Sequence, residues 1–414
     1  MPPSHIESQD SYTLYCHGRL TDPYPFFDQL RSTDPVHWCQ PLGAWLVTRY
    51  EDVVSGHLDN RLSSDKAQIK FKTLMHSQQQ KLKALGEHLG LWVSHTDPPT
   101  HTRLRNLVNF AFTPRISNDM RPGIEQMVNG LIDGAARQGR MDVMNDVANP
   151  LPIRVICHML GIAEQELHQF ERWIEDVVAF IDGPETQLSK FAGQACHSLL
   201  ELTNYVNGVV NDRRHQPRQD LISVLVGAEQ QGDKLNSEEL LAMCVQMLVG
   251  GHDTTSALIG SGIYLLLKYP DQLVRVRGEP KLMASAVEEF LRYETPGPRN
   301  SRLATQDMEL GGQPIKRGQT VQLLLGAANR DPQQFPDPHR LEVGRNPNRH
   351  LAFGWGPHFC VGAPLARVMA QIAIGVLLRR LTGLRLDDCA TAGPLPWRQT
   401  LGLRSLERLP IRFE

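Results

Sequence analysis

The chain has 414 residues, a mass of 46.5 kDa, 41% hydrophobic and 21% charged residues, and a mean hydropathy of −0.32. This balance is typical of a globular protein with a large core, and it excludes a chain that is disordered over most of its length. The formal net charge of −2 and the isoelectric point near 6.8 give no overall attraction to nucleic acid or to an anionic membrane, so neither is predicted as a partner.

Cysteine usage and the first residues indicate the compartment. The seven cysteines are scattered without paired spacing, which is typical of a reducing compartment. The N-terminus lacks the basic start and the apolar core of a signal peptide, and no apolar run approaches the roughly twenty residues of a membrane span. We therefore expect a cytoplasmic protein with no membrane anchor. Because no repeat or low-complexity linker divides the chain, we expect a single domain over residues 1–414.

The first hundred residues predict a small sheet and then an irregular segment. Residues 36–38 and 45–48 are predicted strands around a turn at 41–43. From about 60 to 96 the sequence is polar and weakly periodic, which predicts a long irregular segment of the kind that often forms a binding loop.

A helix is predicted next, with Asp97 as its capping acid and two prolines at its first turn. His101 and Arg105 are four residues apart and therefore share one face. Two donor groups on one face suit a carboxylate or a phosphate, although the spacing alone favours an ordinary solvated basic helix.

Helical periodicity then dominates from about 117 to 231, where four or five helices are predicted. The following helix is the longest, because Asn236 and Glu239 form a capping pattern and the periodicity continues to Lys268. About thirty residues give roughly 45 Å of helix. Apolar residues cover nearly all of its sides, which predicts that it is buried.

The run Gly250-Gly251-His252-Asp253-Thr254-Thr255 interrupts this helix. Each glycine costs roughly 1 kcal/mol relative to alanine, and such a cost in a core helix suggests a function. Glycine lets a flat cofactor approach the backbone, and a threonine hydroxyl bonded to the carbonyl four residues earlier can open a groove. A kink or the close packing of another helix explains the same residues equally well.

Two weaker patterns follow in the chain. Glu289 and Arg292 form an i, i+3 pair, which is common on solvated helices. Strands are predicted at 308–310 and 320–325. Arg299 precedes these strands and can pair with an acidic substrate group, although an exposed arginine is the commoner outcome.

The most informative stretch is Phe353-Gly354-Trp355-Gly356-Pro357-His358-Phe359-Cys360-Val361-Gly362, which runs into a helix predicted from Ala363 to about Leu381. Free N–H groups and the dipole at a helix start favour a thiolate there. The loop glycines permit positive φ values, and Phe353 and Phe359 can wall the sulfur from water. Two alternatives are an ordinary buried thiol and a zinc site with His350 and His358, for which no CxxC or HxxxH pair supplies further ligands.

This loop resembles, at every fixed position, the haem-ligand signature of the cytochromes P-450, Phe-Gly-x-Gly-x-His-x-Cys-x-Gly. The resemblance extends over nearly the whole chain, with the four best motifs in the family's order. It implies the family's mainly α-helical fold, a helical prism with small β-sheets. Haem b is then expected between the long central helix at about 237–268 and the helix after the Cys loop.

The resemblance also implies roles for single residues. Cys360 is expected to ligate the iron, and the acid–alcohol pair Asp253 and Thr254 to relay protons to oxygen. Glu289 and Arg292 are expected in a buried network with a later arginine, for which Arg340 is the first candidate and Arg345 the alternative. The propionates are assigned to His101, Arg105, Arg302 and His358, and the further cofactor-binding residues to Gly251, Phe353, Gly354 and Gly362.

The implied activity is that of a haem-thiolate monooxygenase that inserts one atom of O2 into a small hydrophobic substrate, by family analogy a natural-product intermediate. No flavin or iron–sulfur domain is recognised, so electrons are expected from NAD(P)H through a separate ferredoxin and ferredoxin reductase. The predicted docking patch for the ferredoxin contains Arg103, Arg345, Arg349 and Arg367.

Two other functions compete with this interpretation. A peroxide-driven peroxygenase does not need the acid–alcohol pair, and a noncatalytic haem sensor or carrier has no use for a proton relay. The resemblance also implies a mobile lid at 164–193, although ordinary amphipathic packing explains that segment as well. It further implies a substrate-facing hairpin at 400–404.

Overall fold

The computed structural model describes residues 9–16, 21–65, 82–135, 139–163, 167–182, 188–230, 235–387 and 393–414. Within these ranges the helices are α1 (Gln9–Cys16), α2 (Tyr24–Thr33), α3 (Tyr50–Leu58), α4 (Lys83–Gly90), α5 (Thr100–Asn109), α6 (Pro114–Asp119), α7 (Arg121–Ala135), α8 (Pro150–Leu160), α9 (Leu167–Asp182), α10 (Leu188–His215), α11 (Leu221–Gln230), α12 (Ser237–Lys268), α13 (Pro270–Gly278), α14 (Met283–Tyr293), α15 (Leu325–Ala328) and α16 (Ala363–Arg380). The strands are β1 (Val36–Cys39), β2 (Ala44–Val47), β3 (Leu62–Ser63), β4 (Arg140–Asp142), β5 (Asn300–Ala304), β6 (Met308–Leu310), β7 (Gln313–Ile315), β8 (Thr320–Leu323), β9 (Arg385–Leu386) and β10 (Pro410–Arg412).

The long helix α12 begins where its capping residues predict. The N–H of Glu239 donates to Asn236 Oδ1 at 2.8 Å, and the N–H of Asn236 donates to Glu239 Oε2 at 3.1 Å. This reciprocal pair satisfies two of the N–H groups that a helix start leaves without intrahelical partners. The helix continues for 32 residues, which corresponds to about 48 Å. The predicted capping pattern and the predicted length are both confirmed.

The largest sheet has five strands in the order β1-β2-β8-β5-β3. Strands β1 and β2 are antiparallel with Val36 opposite Val47, which confirms the predicted strand pair. Strand β8 joins β2 in parallel and β5 in antiparallel orientation. Val36, Val47, Val321 and Leu323 are each at most 1% exposed in one core cluster. A second sheet has the order β4-β10-β9, and β6 and β7 form a hairpin.

The chain divides into two compact units. The first unit consists of Met1–Leu62, Met120–Leu151 and Thr254–Glu414, and the second consists of Ser63–Asp119 and Pro152–Asp253. In the first unit α16 packs against α7 and α14, and in the second α10 packs against α9, α11 and α4. The assignment of residues 1–414 to one domain stays a prediction.

The segment at 60–96 is more regular than predicted. Its residues 83–90 form α4, in which Leu85 and Leu89 are 1% and 2% exposed. Because these two leucines are four residues apart, they lie on one helical face, and this spacing was the overlooked signal. Residues 66–81 of the same segment lie outside the described ranges.

The predicted lid at 164–193 contains all of α9 and the first residues of α10. Phe170, Ile174 and Val177 follow helical spacing and are fully buried, and Phe170 also packs edge-on against Tyr205 of α10 at a centroid distance of 4.8 Å. This supports the amphipathic-packing interpretation for the described part; 164–166 and 183–187 lie outside it. Helices α7 to α11 give the five helices expected between 117 and 231. No helix in the described ranges is both long and apolar enough to cross a membrane.

Candidate active site

The loop before α16 holds Cys360 through backbone hydrogen bonds. The N–H of Cys360 donates to the carbonyl of Phe353 at 2.9 Å, and the N–H of Gly354 donates to that of Leu351 at 2.8 Å. Gly354 and Gly356 have φ values of 71° and 70°, the left-handed region that their sequence predicts. The thiol of Cys360 is exposed, and α16 starts three residues later. The loop therefore presents an accessible sulfur at a helix start.

Gly362 lies beside this sulfur. A Cβ atom at position 362 would lie 3.9 Å from Cys360 Sγ, which is an ordinary van der Waals contact. Phe353 is partly buried and packs on Phe359 at a centroid distance of 6.1 Å. Phe359 itself is 36% exposed, so of the two predicted walls Phe353 is the more enclosed.

A histidine and an asparagine support the loop from behind. A Cβ at Gly354 would meet Asn300 Nδ2 at 3.3 Å, so the loop passes close to this pair. His57 Nδ1 lies 2.8 Å from the carbonyl of Val53 and must donate to it, which leaves Nε2 to accept from Asn300 Nδ2 at 3.1 Å. Neither residue stood out in the sequence, because an isolated histidine in a helix and an isolated asparagine in a strand carry no pattern.

A second support connects α14 to α16 beneath the loop. Arg367 donates to both oxygens of Glu288 at 2.8 Å, and its guanidinium lies 4.6 Å from the centre of the Phe353 ring. His350 Nδ1 accepts the N–H of Ala352, so its Nε2 carries the proton and donates to Glu288 at 3.1 Å. Burial alone would raise the pKa of Glu288, but the hydrogen bonds from His350 and Arg367 outweigh it and lower the pKa to about 2.

The predicted Glu-x-x-Arg pair lies in a fully buried network. Arg292 donates to both oxygens of Glu289 at 2.8 Å, and both side chains are 0% exposed. The third member is Arg345, whose Nε lies 3.2 Å from each Glu289 oxygen. The first candidate, Arg340, was wrong, because its side chain is exposed beside Glu342 at 3.7 Å and only its backbone carbonyl accepts hydrogen bonds from the network.

The assignment of Arg345 to the network predicts different stability losses for two variants. Arg345→Leu removes a donor from a buried carboxylate and is expected to lower the free energy of unfolding by about 2 kcal/mol, the usual worth of a charged hydrogen bond. Arg340→Leu removes only an exposed ion pair and should change it by less than about 0.5 kcal/mol. Urea unfolding of the two purified variants measures both values. Equal losses would contradict the assignment of Arg345.

The interrupted stretch of α12 gives its two glycines different roles. A Cβ at Gly251 would lie 2.3 Å from Ile156 Cδ1, so this glycine allows the Ile156 side chain of α8 to pack closely against α12. Gly250 is exposed, and a Cβ there would meet nothing within 4 Å. The packing interpretation is therefore confirmed for Gly251. The close approach of a flat group, predicted for Gly251, stays a prediction, and Gly250 is the more accessible candidate for it.

The acid–alcohol pair follows directly on the same helix. Thr254 is exposed, whereas Asp253 is 5% exposed. The carboxylate lies beside the ring of His252, with Oδ1 and Nδ1 3.1 Å apart. A buried acid next to an accessible hydroxyl is an arrangement that can move a proton.

The predicted propionate ligands are distributed over both units. In the second unit His101 is 3% exposed, and Arg105 is half-buried with its Nε donating to Asn109 at 2.8 Å. In the first unit Arg302 is 3% exposed, and His358 lies at the end of the 3-10 turn Gly356–His358. Their roles as propionate ligands stay predictions.

The sequence interpretation of Asp97 was wrong. Asp97 does not cap α5; its carboxylate accepts from the hydroxyl of Ser63 at 2.5 Å and the N–H of Ser64 at 2.9 Å. Three members of the predicted docking patch also pair with acids, since Arg103 lies 2.9 Å from Glu239 and Arg345 and Arg367 bind the acids described above. The patch stays a prediction. Within the described ranges Arg349 is the member that stays exposed without a recorded carboxylate.

The described residues fit a haem group. No cluster of three or more His, Cys, Asp or Glu side chains in the described ranges is arranged to hold a metal. A single exposed cysteine just before a helix start suits a metal that has one protein ligand. The exposed backbone at Gly250 suits a flat group, and the buried side chains of His101 and Arg302 suit carboxylates that need partners.

Comparison with known proteins agrees with this chemistry. A family profile named Cytochrome P-450 matches residues 66–388. The 6-deoxyerythronolide B hydroxylase of Saccharopolyspora erythraea is 38% identical over 402 residues, which cover 95% of this chain and 96% of that protein. The cytochrome P-450 monooxygenase PikC of Streptomyces venezuelae is 40% identical over 401 residues, with 95% and 91% covered.

The fold is also similar to that of a solved structure. The crystal structure of P-450BioI, in complex with an acyl carrier protein ligated to hexadec-9Z-enoic acid, has a TM-score of 0.88 and 34% identity and covers 98% of this chain and 100% of its own. The fold and the site thus define a haem-thiolate oxidoreductase. This chain belongs to the cytochrome P-450 family and is one of its monooxygenases.

Proposed function

We propose that this monooxygenase hydroxylates or epoxidises a small hydrophobic natural-product intermediate. The observation that carries the proposal is the intact acid–alcohol pair, with the hydroxyl of Thr254 on an accessible stretch of an otherwise buried helix. The relatives named above support the substrate class, since one of them is a hydroxylase of 6-deoxyerythronolide B.

Haem b is the proposed cofactor, with Cys360 as the protein ligand of its iron. His101, Arg105, Arg302 and His358 would bind the propionates, because buried carboxylates need charged partners. Gly250 would admit the flat face, and Gly354 and Gly362 would shape the thiol loop. Bound haem supplies the activation of O2, which a thiolate ligand favours by donating electron density.

Residues of the chain itself would deliver the protons. Thr254 would hold a water molecule with its hydroxyl and pass a proton from it, and Asp253 would supply that proton. The neighbouring His252 is 3% exposed, and its Nδ1 lies 3.1 Å from Asp253 Oδ1. A peroxygenase would not require this pair.

The electrons would come from NAD(P)H through a separate ferredoxin reductase and ferredoxin. Arg349 is exposed and precedes the thiol loop by four residues, so it is our candidate contact for an acidic donor. The cytoplasm is the proposed location, which the six free cysteines recorded in the described ranges support.

Turnover with alternative oxidants tests this function. With ferredoxin, reductase, NADPH and isotopically labelled O2, we expect one labelled oxygen atom in the product of a screened polyketide or terpenoid substrate. Equal turnover with hydrogen peroxide alone would favour the peroxygenase, and absence of product with every donor would favour a noncatalytic protein.

The same assay tests the donor contact. Arg349→Glu is expected to slow electron transfer from ferredoxin severalfold without changing substrate affinity, because the reversed charge repels an acidic partner. Arg317→Glu, at another exposed arginine in the turn after β7, serves as the matched control. If both variants are reduced at the wild-type rate, Arg349 does not contact the donor.

A further inference from the structure

One face of α12 is accessible although the helix is otherwise buried. Between Glu239 and Ile263 the residues that are not buried are Leu241, Gln246, Met247, Gly250, Gly251 and Thr254. At about 100° per residue the last five of these fall within an arc of roughly 140°. They form one accessible face, which extends a full turn beyond the two glycines in the N-terminal direction.

A polar pair lies at the N-terminal end of this face. Gln246 Nε2 donates to Ser94 Oγ at 2.8 Å, and Gln246 Oε1 accepts the N–H of Val93 at 2.8 Å. Both partners belong to the 3-10 turn Val93–His95 of the second unit. Trp92, Val93 and His95 are buried, whereas Ser94 is only partly buried, and its hydroxyl is bonded to Gln246 on the accessible face.

The hydrogen bonds leave donors available. The hydroxyl of Ser94 accepts from Gln246, and its own O–H has no recorded acceptor within the described residues. The second N–H of the Gln246 amide likewise has none there. The hydrogen bond from the Val93 N–H already joins the turn to α12. The Ser94 contact adds two oriented donors on the accessible face, beside the apolar Met247.

We infer that Ser94 and Gln246 bind an acceptor oxygen of the substrate, such as a ketone or lactone carbonyl, an inference that rests on the proposed function. Gln246 orients the Ser94 hydroxyl, and the hydroxyl donates to the carbonyl. Gln246 precedes Thr254 by eight residues, which is about 12 Å along the helix. The substrate is therefore a largely apolar molecule whose carbonyl lies on the order of 10 Å from the oxidised carbon.

Matched probes that differ by one oxygen test the inference. The rigid pair is 5α-androstan-3-one and 5α-androstane, and the macrocyclic pair is oxacyclohexadecan-2-one and cyclohexadecane. Spin-state titration gives the dissociation constant of each probe. In at least one pair, the wild-type holoenzyme is expected to bind the oxygenated member about tenfold more tightly, which one well-placed hydrogen bond provides. Ser94→Ala should reduce this ratio to about two or less, and Ser94→Thr should retain it.

The ratio distinguishes loss of the hydrogen bond to the carbonyl from general loosening of the turn. Loosening would weaken the binding of both members of a pair alike. Met247→Leu changes the same face without a polar group and should leave the ratio unchanged. A ratio near one in the wild type overturns the inference. Failure of the wild type to bind any of the four probes overturns it as well. So does a ratio that Ser94→Ala leaves intact. The carbon monoxide spectrum of each reduced sample tests the proposed function separately, because a thiolate band can be present whatever the ratio is.

Discussion

Replacing Cys360 with serine is expected to abolish monooxygenation and to remove the strongly red-shifted Soret band of the reduced, carbon monoxide-bound protein. A serine hydroxyl is not ionised near neutral pH, so it cannot donate electron density to the iron as a thiolate does. The loop itself should persist, because its bonds from the Cys360 N–H and the Gly354 N–H are made by the backbone. The absorption spectrum and product analysis of the purified variant measure both effects.

Cys196→Ser is the matched control for this experiment. Cys196 is a free, partly buried cysteine in α10, and no role in the site is assigned to it. Its variant should keep the wild-type spectrum and turnover. A red-shifted band that survives in Cys360→Ser would mean that another group ligates the iron. This result would contradict the proposed monooxygenase mechanism.

Replacing Thr254 with alanine is expected to separate oxygen consumption from product formation. The hydroxyl of Thr254 is the accessible half of the acid–alcohol pair, and its loss removes the group that passes the proton. Product formed per NADPH should fall by roughly a hundredfold, the lower end of what general acid–base groups contribute. The two electrons and two protons consumed should then leave with O2 as hydrogen peroxide, which a peroxidase-coupled assay measures alongside NADPH.

Thr255→Ala provides the comparison for Thr254→Ala. Thr255 is the next residue of α12 but is 3% exposed and lies off the accessible face. Its variant should stay coupled, and Thr254→Ser, which restores a hydroxyl, should recover most of the product. If Thr254→Ala remains as coupled as the wild type, the hydroxyl is not part of the proton path, and the peroxygenase interpretation gains support.

The sequence predicted best those features that are encoded by neighbouring residues. The capping pair Asn236 and Glu239 identified the start of α12, because a capping box is a local interaction across three residues. The positive φ values of Gly354 and Gly356 could be predicted, because few other residues adopt such values at low cost. In the same way, the strand pair at 36–47 followed from alternation around a turn.

Features that depend on residues distant in the chain could not be chosen from spacing. Arg340 and Arg345 are equivalent in sequence, and only the fold shows which guanidinium reaches Glu289. Gly250 and Gly251 differ only in the side of α12 that they face. The position of Ile156 shows that Gly251 is the one packed against another helix. The acidic partners of Arg103 and Arg367 lie 136 and 79 residues away, so the sequence did not show these ion pairs.

The interleaving of the two units also bears on biosynthesis. All segments of the second unit have been translated once Asp253 leaves the ribosome, whereas the first unit requires both the N-terminal residues and the last 161 residues of the chain, 254–414. A nascent chain can therefore complete the second unit while the loop with Cys360 is still unmade. The thiol that would capture haem is supplied late, so cofactor loading becomes one of the final events of maturation.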